Sequence, residues 1–110
     1  MSDVEVIEKQ KTDQDTKRSI DEPGKYDVIF LNDNHTPMDF VVELLMNIFR
    51  HDQETANDIM FDVHEKGSGV AGTYSYEIAE QKTTEATMLA RQAGFPLAIH
   101  IEKTKWVLEI

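Results

Sequence analysis

Apolar residues along this chain keep switching between the alternation of a β-strand and the three-and-four spacing of a helix. The run Tyr26, Asp27, Val28, Ile29, Phe30, Leu31 is aromatic and β-branched and reads as a strand. Between Phe40 and Phe49, Val41, Leu44, Leu45 and Ile48 recur at helical spacing, so this helix turns one side to a core. A second helix is predicted from about Gln53 to Glu65, with Ala56, Ile59, Met60 and Val63 on one face. His64 stands four residues after Met60, one turn further along nearly the same face. Gly67, Gly69 and Gly72 bracket a short extended stretch, Val70 to Tyr74, read as a second strand with tight turns. Ser75 opens a third helix, Tyr76 to about Ala93, and Gly94 with Pro96 behind it supplies the stop. Leu97, Ile99 and Ile101 then alternate with Ala98, His100 and Glu102 as a third strand.

The order β-α-α-β-α-β predicts an α+β domain, with three helices packed on one face of a small three-stranded antiparallel sheet. Between the first strand and first helix, Asn32, Asp33, Asn34 and His35 form an aperiodic, turn-rich stretch. Thr36 is expected to cap the helix that follows, with Pro37 at its first position and Asp39 completing a Thr-x-x-Asp capping pattern. Residues 1–24 mix charges of both signs with Gln, Thr and Ser, and hold too few large apolar residues to offset the entropy of ordering a backbone. They read as a flexible tail, which Pro23 and Gly24 separate from a folded core at 25–104. Residues 105–110 include Trp106, Val107, Leu108 and Ile110, an apolar appendix to which the pattern assigns no role.

Composition narrows the function classes. At 110 residues the chain fits one domain, and an apolar fraction of 40% with 29% charged residues is ordinary for a soluble globular protein. Eleven basic against 21 acidic side chains leave a net charge of −10, which repels a phosphate backbone, so nucleic acid is excluded as the expected partner. No cysteine is present, which removes disulfides, thiolate metal sites and thiol nucleophiles and suits a reducing cytoplasm. The first twenty residues lack a secretory apolar stretch and no segment is long and apolar enough to span a bilayer, so a cytoplasmic protein without membrane contact is expected.

The chemistry-bearing residues are few. Loops leading from a strand into a helix often carry binding groups, which makes Asn32, Asp33, Asn34 and His35 candidates, although such loops also serve simply as turns and caps. His64 beside Met60 and Val63 reads equally as a boundary residue of the core or as part of a site. If the first two helices converge, Met38 and Met60 suit an adaptable apolar pocket, since flexible thioethers fill irregular space. An enzymatic triad of His64, Asp33 and Thr36 would need spatial adjacency that sequence alone does not give, and no nucleophile elbow is present. The four histidines stand apart without ligand spacing, and the glycines match no phosphate-binding loop, so neither metal nor cofactor is expected and the protein is read as no enzyme.

Taken together, Tyr26-x-Val28, Leu31-Asn32-Asp33-x-x-Thr36-Pro37-Met38-x-Phe40-Val41-Val42, Val63-His64-x-x-Gly67, Glu77-Ile78-Ala79-Glu80-x-Lys82 and Pro96-Leu97 closely resemble the ClpS family. The match runs from about Lys25 to Lys103. ClpS proteins are bacterial adaptors that deliver N-degron substrates to the ClpAP protease. The resemblance implies that a substrate's first side chain, typically Phe, Leu, Trp or Tyr, enters a pocket lined by Met38, Val41, Met60, Val63 and Leu97. Its free α-ammonium would be held at a rim of Asn32, Asp33, Thr36 and His64. An ammonium has three donors to satisfy, and an amide oxygen, a carboxylate and a neutral imidazole nitrogen are suitable acceptors. Met38 would be the gatekeeper against β-branched residues.

The resemblance further implies that Glu77, Glu80 and Lys82 dock on the N-terminal domain of the unfoldase ClpA, or of a ClpC-like relative, and that a monomer hands substrates over through its tail. Asn34 departs from the family's usual third acidic residue, and residues 106–110 extend past the point where many relatives stop. The alternative reading is a module of the same fold that modulates the unfoldase without selecting N-termini.

Overall fold

The computed structural model describes residues 24–104; the expected tail at 1–23 and the appendix at 105–110 lie outside the described residues. Six elements follow in the order anticipated: β1 (Tyr26–Leu31), α1 (Met38–Asn47), α2 (Gln53–Lys66), β2 (Ser68–Tyr74), α3 (Tyr76–Gln92) and β3 (Ala98–Lys103). β1 is the central strand of an antiparallel sheet ordered β2-β1-β3.

Alternation along β1 decides what each face of the sheet does. Val28 and Phe30 point inward and are fully buried, flanked in register by Ile101 and Ile99 of β3 and by Gly72 and Gly69 of β2. Leu44, Leu45, Ile48 and Phe49 from α1 and its end, Ala56 and Val63 from α2, and three alanines of α3 close over this face. Asp27, Ile29 and Leu31 point the other way, beside Thr73, Val70 and Ser68 on β2 and Glu102, His100 and Ala98 on β3.

Glycine at position 69 has a specific reason. A Cβ there would stand 2.9 Å from Val63 Cγ2 and 3.2 Å from the Ile59 carbonyl oxygen, so α2 rides directly on the β2 backbone. Two residues further on, β2 takes an extra residue: Val28 pairs with Gly72 and Ile29 with Val70, leaving Ala71 as a bulge. The Ala71 carbonyl is satisfied from outside the sheet, by the Nε2–H of His51.

The helix ends show where local pattern reading succeeds and where it fails. α2 is capped at both ends, the Asp52 carboxylate accepting the Thr55 N–H at 2.9 Å and Gly67 closing the helix at φ 91°. α1 is different. It starts at Met38 with Pro37 in the cap position and no side-chain cap bond, so the expected Thr36 capping pattern does not form. The Thr36 hydroxyl instead donates to Asp33 Oδ2 at 2.8 Å, a bond to an ionised acceptor that outcompetes a neutral cap. α1 also ends at Asn47, two residues before the apolar run does, yet Ile48 and Phe49 remain buried as the chain turns through Arg50 at φ 64°.

Candidate functional site

Three chain crossings meet at one end of the sheet. Asn32 follows the last residue of β1, Gly67 precedes the first of β2, and Leu97 precedes the first of β3, while Leu31, Ser68 and Ala98 pair across the three strands. The Asn32 N–H donates to the Gly67 carbonyl at 2.9 Å, tying the loop after β1 to the last turn of α2, which carries His64. The Asn32 and His64 side chains are both exposed there.

Asp33 organises the rest of the loop. Its Oδ1 accepts the N–H groups of His35 and Thr36, both at 2.7 Å, and its Oδ2 accepts the Thr36 hydroxyl. Partial burial works to raise the pKa of this carboxyl, but these bonds outweigh it and hold Asp33 below its ordinary value of 3.8. Asp33 is therefore a carboxylate at neutral pH. An ionised carboxylate offers about four acceptor positions, so one on Oδ2 is left for a further donor.

The expected pocket residues lie at graded depth. Val41, Val63 and Leu97 belong to the closed core, Met60 is half-buried against it, and Met38 is 46% exposed on the first turn of α1.

The candidates on α3 divide. Glu77 and Glu80 are exposed and line a shallow groove along the helix with Gln81, Thr84, Glu85 and Met88. Lys82 points the other way: its Nζ donates to the Ile48 carbonyl at 2.8 Å and lies 5.4 Å from the Tyr74 ring centroid and 5.9 Å from that of Phe49. This tie between α3, the end of α1 and β2 had no signal in the sequence, because it depends on how the Ile48 carbonyl is left over when α1 stops early. A second open concavity runs between α1 and α3, lined chiefly by Phe40, Leu44, Asn47, Leu89 and Gln92.

The α3 start lies at the far end of the sheet from Asn32. Tyr76 meets Tyr26 edge-on at 5.1 Å between centroids, and Tyr26 pairs with Tyr74 and Lys103, at the end where the Thr104 N–H donates to the Lys25 carbonyl. Among the described residues no group of three or more His, Asp or Glu side chains could hold a metal ion, and no helix is long and apolar enough to cross a membrane.

A family model described as "ATP-dependent Clp protease adaptor protein ClpS" matches residues 21–100. The chain belongs to the ClpS family. Among ClpS relatives, the ATP-dependent Clp protease adapter protein ClpS of Lawsonia intracellularis is 49% identical over 87 residues, covering 79% of this chain and 80% of that one. The ClpS of Oleidesulfovibrio alaskensis is 42% identical over 103 residues, covering 94% and 99%. The structure of Agrobacterium tumefaciens ClpS2 bound to L-phenylalaninamide is similar at a TM-score of 0.73 and 40% identity, over 76% of this chain and 100% of that one. ClpS proteins are adaptors of the Clp protease.

Proposed function

We propose that this adaptor recognises a free, bulky apolar N-terminal residue, Phe, Leu, Trp or Tyr, and delivers the protein that bears it to the AAA+ unfoldase ClpA, or a ClpC-like relative, for degradation. The observation that carries this reading is the ligand of the Agrobacterium relative. L-phenylalaninamide has a free α-amine, a benzyl side chain, and an amide where the next peptide bond would stand, so it mimics the first residue of a polypeptide.

In this reading the α-ammonium donates to the Asn32 amide oxygen, to the free acceptor position of Asp33, directly or through water, and to a neutral His64 imidazole. Thr36 holds Asp33 in place through its hydroxyl. The side chain enters between Met38, Val41, Met60, Val63 and Leu97, and the two methionines, being flexible and outermost, are the groups that swing aside to admit it. Burying a large apolar side chain contributes roughly 1.5–3 kcal/mol, which Ala or Gly forgoes, while a β-branched residue crowds Met38. Glu77 and Glu80 provide the docking surface, and Lys82 supports it from within by fixing the first turns of α3. The chain acts as a monomer without catalysis of its own, with residues 25–104 as the adaptor core and residues 1–24 as the segment engaged by the unfoldase.

The test compares the binding of labelled peptides that differ only at the first residue, by fluorescence anisotropy. Tight binding of free Phe, with loss on N-acetylation or replacement by Val or Ala, is the expected result. Equal binding of all four, or none, overturns the pocket and leaves a module that acts on the unfoldase alone. His64→Ala weakens the binding of free Phe; unchanged binding removes His64 from the site.

A further inference from the structure

The last turn of α3 carries Arg91, a charged side chain that belongs neither to the rim at Asn32 nor to the groove along α3. Its guanidinium is held in one place. Nη1 donates to the Phe95 carbonyl and to the Leu97 carbonyl, both at 2.9 Å. These two carbonyls flank Pro96, which has no N–H of its own to tie the segment into the fold. Behind them the helix end is closed: the Phe95 N–H donates to the Ala90 carbonyl at 2.8 Å, and Gly94 turns the chain at φ 84°. Ahead of them β3 begins at Ala98. Arg91 therefore spans the interval in which the chain has left the helix and not yet joined the sheet.

Both carbonyls lead to residues of the proposed pocket. Leu97 is 1% exposed, and Ala98 after it pairs with Leu31, the residue before Asn32. Phe95 meets Phe40 edge-on at 4.9 Å between ring centroids, and Phe40 stands on the first turn of α1 between Met38 and Val41. We infer that Arg91 is a positioning residue: by fixing the backbone at Phe95 and Leu97 it sets the depth of the side-chain pocket, and with it the preference for a large first residue over a small one. The inference rests on the proposed recognition of N-terminal residues. Arg91 touches no part of the ligand and acts through the two carbonyls. Without this tie the Leu97 wall and the ring contact to α1 lose their fixed spacing, and a large side chain must order them again as it binds. A small side chain that never fills the space gives up little. The rim is held by other bonds, Asn32 to Gly67 and Asp33 to Thr36, so recognition of the ammonium does not pass through Arg91.

The test measures, by competition anisotropy on the full-length chain, peptides that differ only in a first Phe or a first Ala. Wild type is compared with Arg91→Met, which keeps an apolar stem and removes the donors. The Phe peptide is expected to bind several-fold more weakly to the variant and the Ala peptide about as before, so the Phe-to-Ala ratio falls several-fold. Two other effects of the substitution leave that ratio unmoved. Loss of a cation favours an ammonium ligand, and does so for both peptides alike. Loss of folded protein lowers the active fraction for both equally. If circular dichroism shows Arg91→Met unfolded, Arg91→Gln, whose amide stops short of both carbonyls, takes its place in the same comparison. An unchanged ratio in the variant, beside a wild type that prefers Phe, overturns the role of Arg91 and leaves the pocket standing. A wild type indifferent to the first residue overturns the pocket itself, and this inference with it.

Discussion

α1 and α3 close over the same sheet, but they do it with opposite choices of side chain. α1 and its final turn bury Val41, Leu44, Leu45, Ile48 and Phe49, whereas α3, longer by seven residues, buries only Ala79, Ala86 and Ala90. Alanine brings α3 close to the strands at the expense of apolar area, and the helix exposes its larger apolar residues, Tyr76, Ile78, Met88 and Leu89. The contrast teaches a division of labour: one helix supplies volume to the core, and the other is a thin wall whose outer side is free for contacts.

Substitutions can break or sharpen that contrast. The largest effect is expected at Leu45, fully buried in α1, where Leu45→Ala costs about 2–5 kcal/mol in denaturant unfolding through lost transfer energy and a cavity. A loss under about 1 kcal/mol there would mean that α1 does not carry the core. Next comes Ala86→Leu, which forces a large side chain under the thin wall and costs about 1–3 kcal/mol by overpacking. If it were neutral, α3 would not be in close contact with the sheet. Smallest is the loop that leads into α1: Asp33→Ala removes three hydrogen bonds to a carboxylate in a part-exposed turn, at about 1–2 kcal/mol. Because the folded pKa of Asp33 is depressed, this contribution is fully present above the ordinary value of 3.8 and is lost as pH falls through the folded value. Wild type and variant should therefore differ in stability at neutral pH and converge in strong acid; a difference constant with pH would assign the effect to something other than the charge.

Much of this was legible from the residues. β1 announced itself by its aromatic and β-branched run, α2 by Ala56, Ile59, Met60 and Val63 on one face, and β3 by strict alternation, because each signal is local. The start of α1 was misread, since Thr36 had two acceptors to choose from and the ionised one, Asp33, lay upstream where a capping pattern does not look. Lys82 was assigned to a docking surface by family resemblance alone; its bond to the Ile48 carbonyl depends on a carbonyl and two aromatic rings brought from distant parts of the chain. Asn32, Gly67 and Leu97 share an end of the sheet for a topological reason, since each stands at a crossing between elements, and His64 lies in the helical turn just before Gly67. That placement follows from the strand order, which the spacing of residues does not contain.

The absent side chain at position 69 has a reach beyond its own strand. Val63 and Ile59 rest on that bare backbone, and the turn of α2 that follows carries His64 and then the Gly67 carbonyl bonded to Asn32. Any β-carbon at 69 acts as a shim beneath this turn, lifting it from the sheet and opening the gap between the α2 end and the β1 loop. The gauge of that gap is thus set from behind, by the thickness of the backbone at position 69 and not by the residues that face the gap.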